Sequence, residues 1–527
     1  MKKLVWAAGV SLSLALSAGT ALAATPSKVL VVAKNLDDIV TLDPASAYEF
    51  SSGEIVSNTY DRLVQFTPDD TTKLMPGLAQ SWTVSEDGKT ITFTLRDGVK
   101  FQSGNPVRPE DVIFSFRRVL TINKAPAFIL AQLGWTKENL DTLVKKTGEN
   151  QVSLTHTGSF GPAFFLNVLA ARPASVVDEV EVMKNQKDGD LGHAWLNTTS
   201  AGSGAFKLTK YAGAEGATLT ANKNYFGGAP EMNSIVFRNI KEAGTQRVML
   251  EKGDIDIARN LTPDQIVALQ GKPDVQVGRY PQAAVHFVSL NQKTPGLQNP
   301  ALWEAMRYLI DYDGIANKML NGQMSVHQAF WPKGFPGSYD EAPFRYDAAK
   351  AKEILEKAGL KDLTFDMDVI SSSPFTDIAQ AIQATMASAG IKVNILPGTG
   401  AQVITKYRAR THQMMLLYWG PDFIDPHSNA KAFAYNVDNS DDKYQSTTTW
   451  RNAWHVPELS EKTMAALKEA DPAKRLTMYT DLQKEVQAKS PIIVMFQAQD
   501  LVASQSNVKG YVHGATSDLV FYRKITK

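Results

Sequence analysis

Hydrophobic positions along this chain fall into short runs that change period several times. Trp82 and Val84 alternate with polar neighbours, Asp87-Gly88 supplies a turn, and Ile91, Phe93 and Leu95 alternate on the return, which predicts a hairpin with those five residues facing inward. A second Asp-Gly, Asp97-Gly98, precedes Val99 and Phe101. Pro109-Glu110-Asp111 then opens a helix in which Val112, Phe116 and Val119 recur at helical spacing. Further on, Leu363, Phe365, Met367 and Val369 read as a strand. A helix follows, with Ile378, Ala381, Ile382, Thr385, Met386 and Ala389 on one face and Gly390 as a left-handed cap, and Ile391, Val393 and Ile395 form the next strand. Such a β-α-β unit builds a parallel sheet covered by helices. Another helix around Val403 to Arg410 leads into the apolar run Met414 to Trp419, a buried strand. The residues after that run matter most, because open α/β sheets bind ligands outside the carboxyl ends of their strands.

The N-terminus follows a different logic. Lys2 and Lys3 precede an apolar run from Leu4 to Leu16, and Ala21-Leu22-Ala23 offers the small residues of a cleavage site. That run is shorter than the roughly 20 residues a membrane-spanning helix needs. The expectation is a secretory signal peptide, residues 1–23, cut after Ala23. The remaining chain of about 500 residues is too long for one core and suits two or three domains. Removing Lys2 and Lys3 takes the formal net charge from +1 to −1. With no basic patch, a nucleic-acid partner is not expected. The chain has no cysteine, which excludes disulfides, zinc–thiolate and iron–sulfur sites, a cysteine nucleophile and a lipidated cysteine tether. An exported, untethered, cysteine-free chain points to a bacterial periplasm.

Several segments stand out in order along the chain: Tyr60-Asp61-Arg62-Leu63, the string PGLAQSWTVSEDGKTITFTLRDGVKF from Pro76 to Phe101, Glu110-Asp111-Val112, AGSGAF from Ala201 to Phe206, NKNYFGG from Asn222 to Gly228, GDIDIA from Gly253 to Ala258, and Asp347 to Gly359. Together they resemble the peptide/nickel/oligopeptide class (family 5) of solute-binding proteins that serve ABC importers. Most of these residues have structural work to do: Asp-Gly pairs turn hairpins, Trp82 and Phe93 fill a core, and Arg96 is expected to pair a nearby carboxylate. The resemblance implies an α/β, two-lobed periplasmic-binding-protein fold with an extra β-rich subdomain in the first lobe. It places residues 24–287 plus 497–527 in lobe I, with the subdomain at about 71–190, and residues 288–496 in lobe II. It also implies a monomer that delivers a small-molecule or peptide ligand to an inner-membrane permease with separate ATPase subunits, without a cofactor.

The candidate ligand site is the stretch from Trp419 to His427. Relatives that bind peptides carry a similar Trp-x-x-Asp step whose carboxylate pairs with the ligand's α-amino group, and the matching residue is Asp422. An ammonium leaving water needs such a partner, and the face of Trp419 would suit a cation. Asp425-Pro426 resembles the Asp/Glu-Pro that follows in relatives. Tyr48 and Phe50, after Asp43-Pro44-Ala45, and Ser203 are the candidates from the other lobe. Relatives that prefer dipeptides place an arginine shortly before the helix of the β-α-β unit. Ile370 to Pro374 has none here, which favours a longer peptide or a non-peptide solute: a sugar or plant-derived conjugate, a nickel chelate, haem or glutathione. Trp419, Trp450 and Trp454 cluster as a sugar binder would want, and His412 and His427 flank the strand as a metal would. No nucleophile motif, His-Glu-x-x-His or phosphate loop occurs, and the Gly-Ser-Gly at Gly202 to Gly204 lacks the Gly-Lys-Ser/Thr of one, so no catalytic residue is expected.

Overall fold

The computed structural model describes residues 25–67, 70–213, 215–443, 445 and 447–527; the signal peptide and cleavage site expected from the sequence lie outside them. Two long antiparallel strands, Val275–Leu290 and Ile492–Gln505, run through the whole molecule. They are the middle of an 11-stranded sheet. On one side Ile257–Ala258, Val29–Lys34, Ser234–Asn239, Gly216–Ala221 and Phe206–Tyr211 continue it, and on the other Met414–Trp419, Leu363–Ile370 and Ile391–Gly398 do so. Each flank has its own buried clusters, one around Leu30, Leu219 and Phe237, the other around Met367, Ile382 and Met414. The fold is therefore α/β with two lobes.

The strand Val275–Leu290 records this division in its burial. Its first eight residues are exposed or half-buried, whereas its last eight are all buried. A strand covered by helices on both faces becomes apolar throughout, and only a strand with one solvated face alternates. Pairing with Ile492–Gln505 breaks between Pro281 and Val285, which face Gln499 and Gln497. Three residues, 282–284, thus oppose one, a bulge that bends the strand where it leaves one lobe for the other.

In the second lobe, Leu363–Ile370 pairs in parallel with both Ile391–Gly398 and Met414–Trp419. The intervening helix Phe375–Ala387 buries Ile378, Ala379, Ile382 and Met386, and Gly390 turns the chain with φ 81°. In the first lobe, a separate four-stranded sheet contains Ala79–Val84, Thr90–Leu95, Gln151–Thr155 and Val144–Gly148. Ile91, Phe93 and Leu95 are fully buried there beneath Val112, Phe116 and Val119 of helix Pro109–Ile122. Val84, expected inside, is 41% exposed. It lies on the edge strand of that sheet, beyond the cover of the helix. Among the described residues Arg96 pairs with no carboxylate: its Nε donates to the Gly77 carbonyl (2.7 Å) and its guanidinium lies over Phe226.

The C-terminal segment folds back onto helix Phe50–Thr59. Glu54 from that helix joins Lys34 (2.6 Å), Arg259 (2.9 Å) and the Tyr522 hydroxyl, while Arg259 also holds Asp500 at 2.6 Å. Burial would raise the Glu54 pKa, but Arg259 and Lys34 hold it down, to about 2. No described helix is long and apolar enough to cross a membrane.

Candidate functional site

The strand Met414–Trp419 ends at the cleft between the lobes, and Gly420-Pro421 turns the chain to Asp422. Asp422 sits there half-buried, its amide donating to the Ser428 hydroxyl at 2.9 Å. From the opposite lobe the Tyr48 hydroxyl donates to Asp422 Oδ1 at 2.5 Å. Tyr48 is held by an edge contact with Phe128 and precedes helix Phe50–Thr59, whose first residue, Phe50, is 54% exposed into the cleft. Together these residues line a cavity of about 490 Å³. Two adjoining chambers of about 280 and 380 Å³ also meet at Phe50.

The electrostatics of Asp422 set it apart. Among the described residues it forms no ion pair, although Lys431 and Arg451 are close enough to attract it. Burial raises its pKa above the usual 3.8 despite the Tyr48 hydrogen bond. Asp518, in the same cavity, is already neutralised by Arg172 at 2.9 Å. Arg172 also donates to Ser517 and to the carbonyls of Ala47 and Glu49, and so fixes the loop that presents Tyr48. A buried carboxylate without a cation, capped by one hydroxyl, is poised to accept an ammonium.

Of the residues expected at the ligand, the structure brings Asp422, Tyr48 and Phe50 together. It puts Trp419, Ser203 and Asp425 elsewhere. Trp419 faces away from the cavity and packs on Phe433, while its neighbour Tyr418 presents a 41% exposed ring to the cleft. Successive strand residues point to opposite faces, so only one of the two can do so. Ser203 is buried and donates to Asp61 at 2.7 Å. Gly202 and Gly204 beside it pack so closely on Thr59 and Tyr60 that a Cβ would collide with the backbone. Asp425 is fully buried: it caps helix Pro426–Ala434, grips Arg475 at 2.7 and 2.9 Å, and accepts from Asn167 Nδ2 of the opposite lobe at 2.8 Å.

His412 and His427 are structural. His427 is buried against Tyr479 and Phe164, and burial lowers its pKa to about 3. His412 bonds Asn452 at 2.9 Å, and burial lowers its pKa to about 4. No group of three potential metal ligands occurs among the described residues. Neither Trp450 nor Trp454 lines the cavity. Arg172, Asn167 and Tyr418 carried no signal in the sequence: each acts through partners from distant segments.

Comparison with known proteins bears on this cleft. A model described as bacterial extracellular solute-binding proteins, family 5 Middle, matches residues 73–441. The chain is 30% identical over 518 residues to the probable D,D-dipeptide-binding periplasmic protein DdpA of Escherichia coli K12, covering 97% of this chain and 96% of that one. It is 26% identical to the dipeptide-binding protein of the same organism, covering 86% of each. Among solved structures, the periplasmic binding protein DppA of Helicobacter pylori in complex with the peptide STSA has the same fold. Its TM-score is 0.76 at 24% identity, over 94% of this chain and 98% of that one.

Proposed function

The chain belongs to the bacterial extracellular solute-binding proteins of family 5, and from that premise we propose that its cleft holds an amine-bearing peptide with the ammonium on Asp422. The protein is the periplasmic substrate-binding component of an ABC importer. It captures a small polar solute, a peptide, between its lobes and delivers it to a membrane permease.

The observation that carries the assignment of the amine is the unpaired, half-buried carboxylate of Asp422 facing Tyr48 across the cleft. In this reading Tyr48 and Phe50 complete the contact from the first lobe. Asp425 and Trp419 act behind the surface, holding the loop and the strand end from which Asp422 projects. Ligand binds the open form, and contacts from both lobes favour closure. The hinge is the bulge at 282–284 and its partner strand around Ala498. It lies close to the boundary of 287/288 and 496/497 that divides the lobes in the resemblance. The protein works as a monomer without catalysing a reaction, its ATP hydrolysed by separate subunits, and it is released into the periplasm by cleavage after Ala23.

The test is calorimetry of free-amine peptides against wild type and Asp422→Asn. Asn is nearly isosteric and keeps a turn hydrogen bond. Loss of the charge opposite a desolvated ammonium is expected to cost about 2–5 kcal/mol of affinity, with an unchanged melting temperature. Equal affinity in both proteins would remove Asp422 from the site.

A further inference from the structure

The cleft continues past Phe50 and Tyr418 into the chamber of about 380 Å³, which both rings also line. Its wall is aromatic. His286 lies at 5.4 Å from Phe375 and 5.7 Å from Tyr418, stacked on the latter at 26°, and Phe375 and Tyr418 are 5.8 Å apart. His286 is 5% exposed. Burial lowers its pKa to about 4, so the ring is neutral at physiological pH. The same chamber is also lined by Gln282, Gln323 and Gln499, whose side-chain amides make no hydrogen bond among the described residues.

The charges of this chamber are already spent. Arg259 contacts Glu54 at 2.9 Å and Asp500 at 2.6 Å. Helix Phe375–Ala387 starts at the chamber, but the Phe375 and Thr376 amides both donate to the Ser372 carbonyl, at 3.0 and 3.3 Å. A carboxylate entering here would be desolvated with no free cation, which is costly. A flat uncharged ring would stack on the wall and leave its polar edge to the glutamine amides.

We propose that the chamber walled by His286, Phe375 and Tyr418 is a second subsite that takes an uncharged aromatic group with a polar edge, such as a tyrosine side chain, and excludes a carboxylate. The proposal rests on the reading that the ligand's amine lies at Asp422. The ligand it describes has a cation at one end and a neutral ring at the other.

Calorimetry with Ala-Tyr-amide, Ala-Ala-amide, their tripeptide counterparts Ala-Ala-Tyr-amide and Ala-Ala-Ala-amide, and the matching free acids tests it. The tyrosine amide should bind about tenfold tighter than the alanine amide at one of the two lengths, and tighter than its own free acid. Phe375→Ala and Gln323→Ala should shrink the tyrosine preference and leave the alanine amide unaffected. Gln323 is half-buried and its side-chain amide makes no hydrogen bond among the described residues, so that variant keeps the test valid if Phe375→Ala fails to fold. Equal binding of tyrosine and alanine at both lengths, or tighter binding of the acids, overturns the subsite. If affinity then still falls in Asp422→Asn, the amine assignment stands. Failure of every peptide to bind, or indifference of all of them to Asp422→Asn, sinks both.

Discussion

Asp422 shows how one residue's environment sets what it can bind. Its carboxylate forms no ion pair among the described residues, and burial raises its pKa above 3.8. Under the proposed assignment a proton and a ligand ammonium compete for the same group. The free protein holds the proton more tightly than the complex does, so binding an amine releases protons and affinity falls as pH falls through that raised pKa. A pH series by calorimetry, from neutral down to about pH 4, should show this weakening for free-amine peptides. The profile of Asp422→Asn should be flat over the same range. Identical profiles would mean that the carboxylate does not titrate against the ligand. The sequence motif pointed to Asp422, but Tyr48's hydroxyl and the missing cation are facts of the folded cleft.

Among the elements, helix Pro426–Ala434 is the one on which the site depends. Asp425 caps it, binds Arg475 through both oxygens, and takes Asn167 from the other lobe. Burial opposes the Asp425 charge, but Arg475 wins and holds its pKa below 3.8. A depressed acid contributes stability that is present above its unfolded pKa and lost as pH falls through the folded one. Asp425→Ala leaves a buried guanidinium uncompensated and should destabilise by about 3–5 kcal/mol, read as a shift in urea midpoint at neutral pH. A shift near zero would mean that the loop is held by something else. The Trp-x-x-Asp step singled out Trp419, and the neighbouring strand Met414–Trp419 offered no pattern to point to Tyr418 instead. A strand buried on both faces is apolar throughout, so its pattern does not say which parity faces the cleft.

For the whole molecule, contacts across the cleft define the conformation. Tyr48 reaches Asp422, Asn167 reaches Asp425, Thr71 donates to the Gly334 carbonyl at 2.8 Å, and Phe423 is buried in the core of the other lobe's subdomain. These contacts join the two lobes directly, and the proposed opening would exchange the polar ones for water. Small-angle scattering of the ligand-free protein should give a larger radius of gyration than the same protein saturated with its tightest peptide. Superposable curves would mean that binding does not close the hinge.

What the sequence determined by itself were the local elements and the kind of protein they build. Alternation at Ile91, Phe93 and Leu95, helical spacing at Val112, Phe116 and Val119, and the β-α-β run from Leu363 to Ile395 each reflect contacts within a few residues or one layer, and all recur in the structure. The ordered motifs identified the family, and the Trp-x-x-Asp step led to the loop that carries Asp422. Tertiary structure decided which side chains meet. Arg172 holds the Tyr48 loop and Asn167 spans the lobes. Ser203 turns to Asp61, Val84 faces solvent, and His286 joins Phe375 and Tyr418 around a chamber that no local pattern announces. The physical reason is range. Periodicity encodes which face of an element is buried, whereas a cleft is made by residues from segments hundreds of positions apart, whose meeting depends on how two long strands bend at 282–284.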